Sequence, residues 1–379
     1  MTTASWLLFL SLGLVIYVWA GYPLLLFALA SLFTPKAKPT IGVEDFFVSI
    51  IVPVHNEEQK IASKLSDCLE LLYPPDRFEI IVASDCSTDK TEEIVRRFVT
   101  QDSRIHWLPS QSRIGKSAVQ NLAAHRAHGD LFFFTDANTA TSPGVLRTMV
   151  ENLADPQVGL VTATVLCGHP NDAIEKGQGF YWRYELFLRS VESDLGILAT
   201  GSGQALLVRR ELFQPLPACY GDDCIMPIDI RAQGYKVIQE RDARVFDAMP
   251  HTIEGELRAR IRMTARNWTG TLSRPAVLNP LRFPLTSLGL ISHKLLRWLT
   301  PFLLVMIFVS SSVLAVVGQL RPLWWLQLAF YFSALVGWER ARKQRHAWVF
   351  GYSFSFCLAN IGFFLGIMKA LRRQKIFSY

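Results

Sequence analysis

Two acidic sites and one lysine have the residue types and positions needed for chemistry on a bound ligand. Asp222 and Asp223 are adjacent, and neighbouring carboxylates raise each other's pKa, which suits a general base. Asp85 ends an apolar run, where its carboxylate can accept hydrogen bonds from N–H or hydroxyl groups of a ligand. Lys116 begins a helical pattern, where it can pair with an anion as a point charge. Each also has a structural alternative, as a helix cap, an Asx turn or a solvated lysine.

The segment Gly115-Lys116-Ser117 does not complete a P-loop. That motif requires a further glycine five positions before Gly115, and the sequence has Ser110 there. Any phosphate contact by Lys116 therefore depends on its own charge and on the helix N-terminus.

These residues fall within an alternating pattern of strands and helices between residues 39 and 280. Apolar runs predict strands, and amphipathic stretches between them predict helices. Such a pattern is typical of a largely parallel α/β sheet covered by helices on both faces, with ligands bound beyond the carboxyl ends of the strands. His55, Glu57, Asp85 and Asp136 follow strands at that edge. The predicted strands are 47–53, 79–84, 105–108, 131–135 and 205–208, and the predicted helices include 57–72, 116–128 and 224–233.

The order of the motifs over roughly residues 45 to 270 resembles that of the family 2 glycosyltransferases. The flanking apolar segments add a resemblance to the membrane-bound cellulose, hyaluronan and poly-N-acetylglucosamine synthases of that family. The resemblance implies a GT-A-like, Rossmann-like domain. The motifs in order are Pro53-Val54-His55-Asn56-Glu57, Ala83 to Thr91, Gly115-Lys116, Phe134-Thr135-Asp136-Ala137-Asn138, Gly201-Ser202-Gly203, Asp222-Asp223 and Gly234-Tyr235.

The resemblance implies a site for a UDP-sugar donor. Asp85 would hold the uridine, with Pro53 and Glu57 lining the same pocket, and Lys116 would pair with the diphosphate. Asp136 and Asn138 stand where the family carries Asp-x-Asp, which binds the metal that bridges the diphosphate. Mg²⁺ or Mn²⁺ is the expected cofactor because both prefer oxygen ligands. Asn138 departs from the family pattern, since it brings an oxygen but no charge.

The resemblance also assigns the base and an acceptor region. The family's base lies about 11 positions before the glycine of the Gly-Tyr pair, which selects Asp223, with Asp222 beside it. The loop Gly201-Ser202-Gly203-Gln204 would lie at the acceptor. Processive members carry Gln-x-x-Arg-Trp further on, and this sequence does not match it. Arg266 and Trp268 occupy that region and could pair the diphosphate and stack the acceptor sugar.

Long uncharged segments at both ends predict a multi-pass membrane protein. About 20 apolar residues cross a bilayer, and one such run lies before the α/β pattern and three after it. The predicted domains are an N-terminal anchor at 1–38, the glycosyltransferase domain at 39–280, an interfacial amphipathic helix at 281–298, and C-terminal membrane helices with a basic tail at 299–379. The predicted spans are Trp6–Phe33, Leu299–Leu320, Pro322–Trp338 and Ala347–Met368.

The positive charge belongs to the membrane flanks. The chain has a net charge of +7, but residues 39–280 hold 25 basic and 31 acidic side chains, which argues against a nucleic-acid partner. Lys36 and Lys38 follow the first span and place the α/β domain in the cytoplasm by the positive-inside rule. The same rule leaves the side of the C-terminal tail open.

Together these features predict an inverting, hexosyltransferase-type enzyme of a bacterial inner membrane, which transfers sugar from a UDP-sugar to a growing exopolysaccharide or a lipid-linked glycan. Two alternatives stay open. One is a single-transfer enzyme with a polyprenyl-phosphate acceptor, and the other is a non-catalytic, nucleotide-binding subunit of a synthase. Membrane lipids and synthase or export proteins are the expected partners. The donor sugar, the acceptor and the oligomeric state stay undetermined by the sequence.

Overall fold

The computed structural model describes residues 2–32, 46–167, 180–218, 220–247, 252–343 and 348–372. It divides into two compact units. Within the described residues, the sheet unit comprises those of Ala30–Met249 and Gly270–Ser287, and the helical unit those of Met1–Leu29, Pro250–Thr269 and Leu288–Ile376. Residues 250–269, which we predicted within the glycosyltransferase domain, thus group with the membrane helices, and the predicted domain boundaries stay predictions.

The sheet unit contains one eight-stranded sheet with the order β3-β2-β1-β4-β7-β6-β8-β5. Strands β1 to β4 pair in parallel, β7 runs antiparallel to both β4 and β6, and β6 pairs in parallel with β8. The predicted α/β class with a largely parallel sheet is therefore confirmed. The strands are β1 (Val48–Val54), β2 (Phe78–Ser84), β3 (Ile105–Pro109), β4 (Leu131–Thr135), β5 (Ala140–Thr141), β6 (Val158–Cys167), β7 (Ala205–Arg209) and β8 (Lys236–Asp247).

Helices follow most strands and differ from the predicted ones mainly at their ends. The helix predicted over 57–72 is shorter, because residues 57–60 form the turn that leads into it. The α-helices are α1 (Thr3–Ile16), α2 (Tyr22–Leu32), α3 (Ile61–Leu69), α4 (Thr91–Gln101), α5 (Lys116–Arg126), α6 (Val145–Asn152), α7 (Phe180–Asp194), α8 (Asp222–Ala232), α9 (Ile253–Leu272), α10 (Pro284–Gly289), α11 (Leu296–Val316), α12 (Arg321–Arg342) and α13 (Trp348–Leu371).

Two apolar layers hold the helices on the two faces of the sheet. On β1, Ile50 belongs to the layer that contains Ile61 of α3, whereas its neighbour Ile51 belongs to the layer that contains Val119 of α5. Successive strand residues point to opposite faces, so a strand buried on both sides must be apolar throughout. Burying each such side chain stabilises the fold by about 1.5–3 kcal/mol. The layers fix the strand ends on which the polar residues sit.

Among the described residues, three helices are long and apolar enough to cross a membrane. They are Thr3–Leu32, Pro284–Val316 and Val349–Leu371. The predicted membrane helices at both ends of the chain are thus confirmed by length and composition. The segment predicted as a further span at 322–338 is helical within α12, but α12 is not among the three candidates found in the described residues.

The segment predicted as a separate interfacial helix, 281–298, continues into a membrane helix. Helical structure runs from Pro284 to Val316, with a π-helical turn over Leu290–Leu295. The placement of this segment at the membrane interface stays a prediction. Phe33, Lys36 and Lys38, on which part of the anchor and its orientation depend, lie outside the described residues.

Candidate active site

The loops after β1 and β2 interlock at the carboxyl edge of the sheet. Asn56 and Cys86 both have left-handed backbones, with φ values of 55° and 57°, a conformation that asparagine tolerates better than most residues. The Asn56 side-chain oxygen accepts the backbone N–H of Thr88 at 2.8 Å, and the Ser87 hydroxyl accepts the N–H of Asn56 at 3.2 Å. These bonds hold the loops that carry Glu57 and Asp85 side by side.

Asp85 is fully buried and organises the loop that leads into α5. Its carboxylate accepts the backbone N–H of Ile114 at 2.6 Å and that of Gly115 at 3.0 Å. Gly115 has a φ of 91°, a left-handed conformation that glycine adopts without strain. The predicted contact of Asp85 with a nucleotide stays a prediction. Its contact with the loop is a second role, which the sequence did not reveal.

Lys116 joins two carboxylates that come from distant parts of the chain. Its Nζ lies 2.7 Å from Asp136 Oδ1 and 3.0 Å from Asp222 Oδ2. Gln120, one turn further along α5, donates its side-chain N–H to the same Asp222 oxygen at 3.0 Å. The ends of β4, α5 and α8 therefore converge, as expected for residues at the carboxyl edge of a parallel sheet.

Electrostatics keep Lys116 protonated in this cluster. Burial alone would lower its pKa, but the charges of Asp136 and Asp222 outweigh burial and raise the pKa above its ordinary value. A permanent cation thus stands at the N-terminus of α5, and the positive end of the helix dipole adds to its attraction for anions.

Glu57 and Pro53, both predicted to line the donor pocket, lie at the end of β1. Pro53 is buried in the strand opposite Ala83. Burial raises the pKa of the Glu57 carboxyl; Lys60 opposes this shift, and the charge of Asp136 adds to it. Glu57 therefore belongs to the same electrostatic neighbourhood as the Lys116 cluster.

The turn that carries Asp136 and Asn138 rests on a buried lysine. Lys64 of α3 is almost fully buried, and its Nζ donates to the Thr135 hydroxyl at 2.8 Å and to the Thr139 carbonyl at 2.9 Å. Burial lowers the pKa of this ammonium group. A lysine within a predicted helix ordinarily faces water, so the contacts of Lys64 with both ends of the Asp136–Asn138 turn appear only in the structure.

Asp247, at the end of β8, is a further acidic residue that sequence reasoning missed. Asn138 donates its side-chain N–H to Asp247 Oδ1 at 3.4 Å, and Gln204 donates to Asp247 Oδ2 at 3.0 Å. The contact joins the Asp136–Asn138 turn to the loop after Ser202. An acidic residue at the end of a predicted strand would have indicated this position, but we predicted no strand over 236–247.

The glycine loop packs directly on the N-terminus of α8. Gly201 donates its backbone N–H to the Asp223 carbonyl at 2.8 Å, and a Cβ on Gly201 would lie 2.6 Å from Leu206 Cδ2 and 3.2 Å from Pro227 Cγ. A Cβ on Gly203 would lie 3.3 Å from Asp222 Oδ1. The missing side chains thus allow the loop to hold the backbone of the predicted base.

Replacing Gly201 by alanine should therefore displace this loop. We expect a stability loss of about 1–3 kcal/mol from overpacking, together with a fall in activity. Gly144→Ala is the matched control, because a Cβ there meets no atom within 4 Å. Thermal unfolding and turnover of both variants test the point, and equal behaviour of the two would contradict it.

Arg266 and Trp268, predicted near the acceptor, lie on α9 within the helical unit. The Trp268 ring contacts the Trp298 ring edge-on at a centroid distance of 6.3 Å and packs near Ala359 and Phe363. Arg266 is buried. Their contacts with an acceptor stay predictions, as do the individual roles of the other site residues.

Comparison with known proteins shows which family this arrangement is similar to. Residues 49–216 match the model of the family described as Glycosyl transferase family 2. The predicted resemblance to that family is thus confirmed over this part of the chain.

Relatives extend the match. The chain is 32% identical over 133 residues to Glycosyltransferase AglD of Haloferax volcanii, covering 34% of this chain and 21% of that protein. It is 26% identical over 274 residues to an N-acetylglucosaminyltransferase of Rhizobium meliloti, covering 68% of this chain and 59% of that protein. The chain thus spans less than two thirds of the length of these relatives.

A solved structure matches the fold of nearly the whole chain. The mannosyltransferase PcManGT of Pyrobaculum calidifontis, in complex with GDP-Man and Mn²⁺, superposes with a TM-score of 0.76 at 23% identity, covering 97% of this chain and 99% of that one. The likeness shows that the GT-A-like domain and its accompanying helices form a fold that another protein also adopts.

Proposed function

We propose that the protein is an inverting glycosyltransferase that moves a sugar from a nucleoside diphosphate donor to an acceptor at the membrane surface. The observation that carries this proposal is the convergence of Lys116, Asp136 and Asp222 at the carboxyl edge of the sheet, with Asp223 next in the chain. A diphosphate needs a cation and metal-binding oxygens, and an acceptor hydroxyl needs a base. The cluster supplies these groups within one small region.

The donor nucleotide is proposed to bind over the ends of β1 and β2. Asp85, Pro53 and Glu57 would form that pocket, and the motif resemblance favours a uridine nucleotide. The structural neighbour PcManGT, in contrast, was solved with GDP-Man. We propose a UDP-sugar as donor and treat GDP-sugars as the competing outcome of the test below.

A divalent metal fits the oxygen atoms that the cluster presents. Among the described residues, no group of three or more His, Cys, Asp or Glu side chains could hold a metal alone. Mg²⁺ in transferase sites is bound by one or two carboxylates together with substrate phosphates, so this finding agrees with a metal that binds with the donor. Asp136 and Asn138 would hold it, and Asp247 lies within contact of Asn138. When bound, Mg²⁺ or Mn²⁺ would neutralise charge on the departing diphosphate.

Metal removal should therefore abolish transfer. We expect EDTA to lower the initial rate by about 100-fold, and excess Mn²⁺ or Mg²⁺ to restore it. Thermal unfolding without donor should not change on chelation, because the described residues do not form a complete metal-ligand set by themselves. Full activity in EDTA would contradict a metal-dependent site.

Transfer is proposed as a single displacement. The acceptor oxygen attacks the anomeric carbon from the face opposite the diphosphate, and the Asp223 carboxylate takes the hydroxyl proton as that bond forms. The bond between the anomeric carbon and the diphosphate oxygen breaks at the same time, and the nucleoside diphosphate leaves with its electron pair. Lys116 pairs with that diphosphate, and one displacement inverts the anomeric configuration.

The acceptor is proposed to be a growing polysaccharide or a lipid-linked glycan on the cytoplasmic face of a bacterial-type inner membrane. The three candidate membrane helices found in the described residues support a location at a bilayer. A polyprenyl-phosphate acceptor for a single transfer is the nearest alternative. Extraction of the product into chloroform and methanol, against retention of a long polymer in water, separates the two.

A donor screen tests the proposal. Full-length protein in nanodiscs, supplied with a membrane lipid extract, is incubated with UDP- and GDP-sugars, with and without Mn²⁺, and nucleotide release is measured. Release from one UDP-sugar supports the proposal, and release from a GDP-sugar alone corrects the donor. Absence of release from every donor contradicts the enzymatic function.

A further inference from the structure

A buried arginine lies behind the glycine loop. Helix α7 carries Glu185, Arg189 and Glu192 at intervals of four and three residues, which places them on one face. All three are buried, and Arg189 is only 3% exposed. Charged side chains are seldom buried to this degree unless they are paired, so the position of Arg189 demands an explanation.

Arg189 contacts the loop that holds the predicted base. Its Nη1 donates to the Ser202 hydroxyl at 2.9 Å, and the Ser202 backbone N–H donates to the Thr162 hydroxyl at 2.8 Å. The neighbouring residue, Gly201, donates to the Asp223 carbonyl. Two hydrogen bonds, joined by the peptide bond between Gly201 and Ser202, thus connect Arg189 to the first turn of α8.

Arg189 also has side-chain donors that its bond to Ser202 does not use. Its Nε and Nη2 are buried and have no hydrogen-bond partner in the described part of the chain. Burial lowers its pKa, and the carboxylates of Glu185, Asp223 and Glu192 oppose that shift. Guanidinium stays protonated even when buried.

We propose that Arg189 is a positioning residue for the reaction: its bond to Ser202 fixes the glycine loop against the first turn of α8. The inference rests on the proposed function, in which Asp223 is the base. Loss of its bond to Ser202 would loosen the carbonyl contact that orients α8.

The test compares Arg189→Met with Arg189→Lys in nanodiscs. For Arg189→Met we expect kcat to fall by about 10–100-fold, with little change in the donor KM. Arg189→Lys should recover part of that loss, because its ammonium group is also a hydrogen-bond donor, but not all of it, because it lacks the guanidinium geometry that reaches Ser202. Arg189→Lys also tests the inference if Arg189→Met folds poorly.

Arg241→Met is the matched control. Arg241 contacts Ser190 and Asp194 on the exposed side of the same helix, so its loss should leave both kcat and the donor KM unchanged. A wild-type kcat in Arg189→Met, or a loss of kcat that Arg189→Lys does not reduce, would overturn the inference. If the wild-type enzyme is active and the variants give either of these results, the inference about Arg189 fails and the proposed function stands. An inactive wild-type protein would overturn both the inference and the proposed function.

Discussion

Asp223→Asn is expected to lower kcat by about 10²–10⁴-fold, the usual contribution of a general base. Asparagine keeps the size of the side chain and leaves the backbone contact with Gly201 in place. It cannot accept the proton of the acceptor hydroxyl. Donor binding should therefore persist, and the loss should fall on the chemical step.

Turnover at saturating donor, together with donor affinity by calorimetry, measures this separation. Asp242→Asn is the control, because Asp242 is an exposed aspartate on β8 and its loss should leave turnover at the wild-type level. Asp223→Asn with nearly wild-type turnover would contradict the base assignment. It would favour the alternative of a nucleotide-binding subunit without catalysis.

Lys116→Met should produce the second large effect, on donor binding and on stability together. A charge-assisted hydrogen bond contributes about 1.5–3 kcal/mol, so the loss of the diphosphate contact should lower kcat/KM by about 10–100-fold. The variant also leaves the buried Asp222 carboxylate without its cation. Removing one partner of a buried ion pair lowers the free energy of unfolding by about 3–5 kcal/mol. Because the Asp136 side chain is partly exposed, we expect a loss near the lower end of that range.

The double variant Lys116→Met with Asp222→Asn separates these two effects. Asparagine removes the unpaired charge, so the melting temperature should recover towards the wild type, while donor affinity should stay low. Thermal unfolding and calorimetric titration with the donor provide the two readings. If the second substitution restored donor affinity as well, Lys116 would serve only to pair the acids of the free protein.

The strand ends could be predicted from the sequence because the strands are apolar on both faces. The predicted strand at 131–135 coincides with β4, and the predicted strand at 79–84 differs from β2 by one residue. Polar residues directly after such runs must lie at one edge of a parallel sheet. This is why Glu57, Asp85 and Asp136 could be placed at one edge of the sheet from the sequence, whereas the contacts of Lys116 with Asp136 and Asp222 appear only in the structure.

The supporting residues could not be predicted in the same way. Lys64 and Arg189 lie on helices, where a lysine or an arginine ordinarily faces water, and their burial depends on partners far away in the sequence. Thr139 lies 75 positions after Lys64, and the Arg189 contact requires the loop at Ser202 to fold back onto α7. Periodicity gives a residue's face on its helix, but it does not show which polar groups the fold brings to that face.

The central claim is most directly tested by following the sugar itself. Full-length wild-type protein and Asp223→Asn, each in nanodiscs with a membrane lipid extract and Mn²⁺, are incubated with the sugar-labelled donor found by the screen. The account predicts that label enters a glycan or lipid product with the wild type, in the inverted anomeric form, and that the variant transfers almost none. Equal transfer by the two proteins, or a product that retains the donor's anomeric configuration, would contradict it.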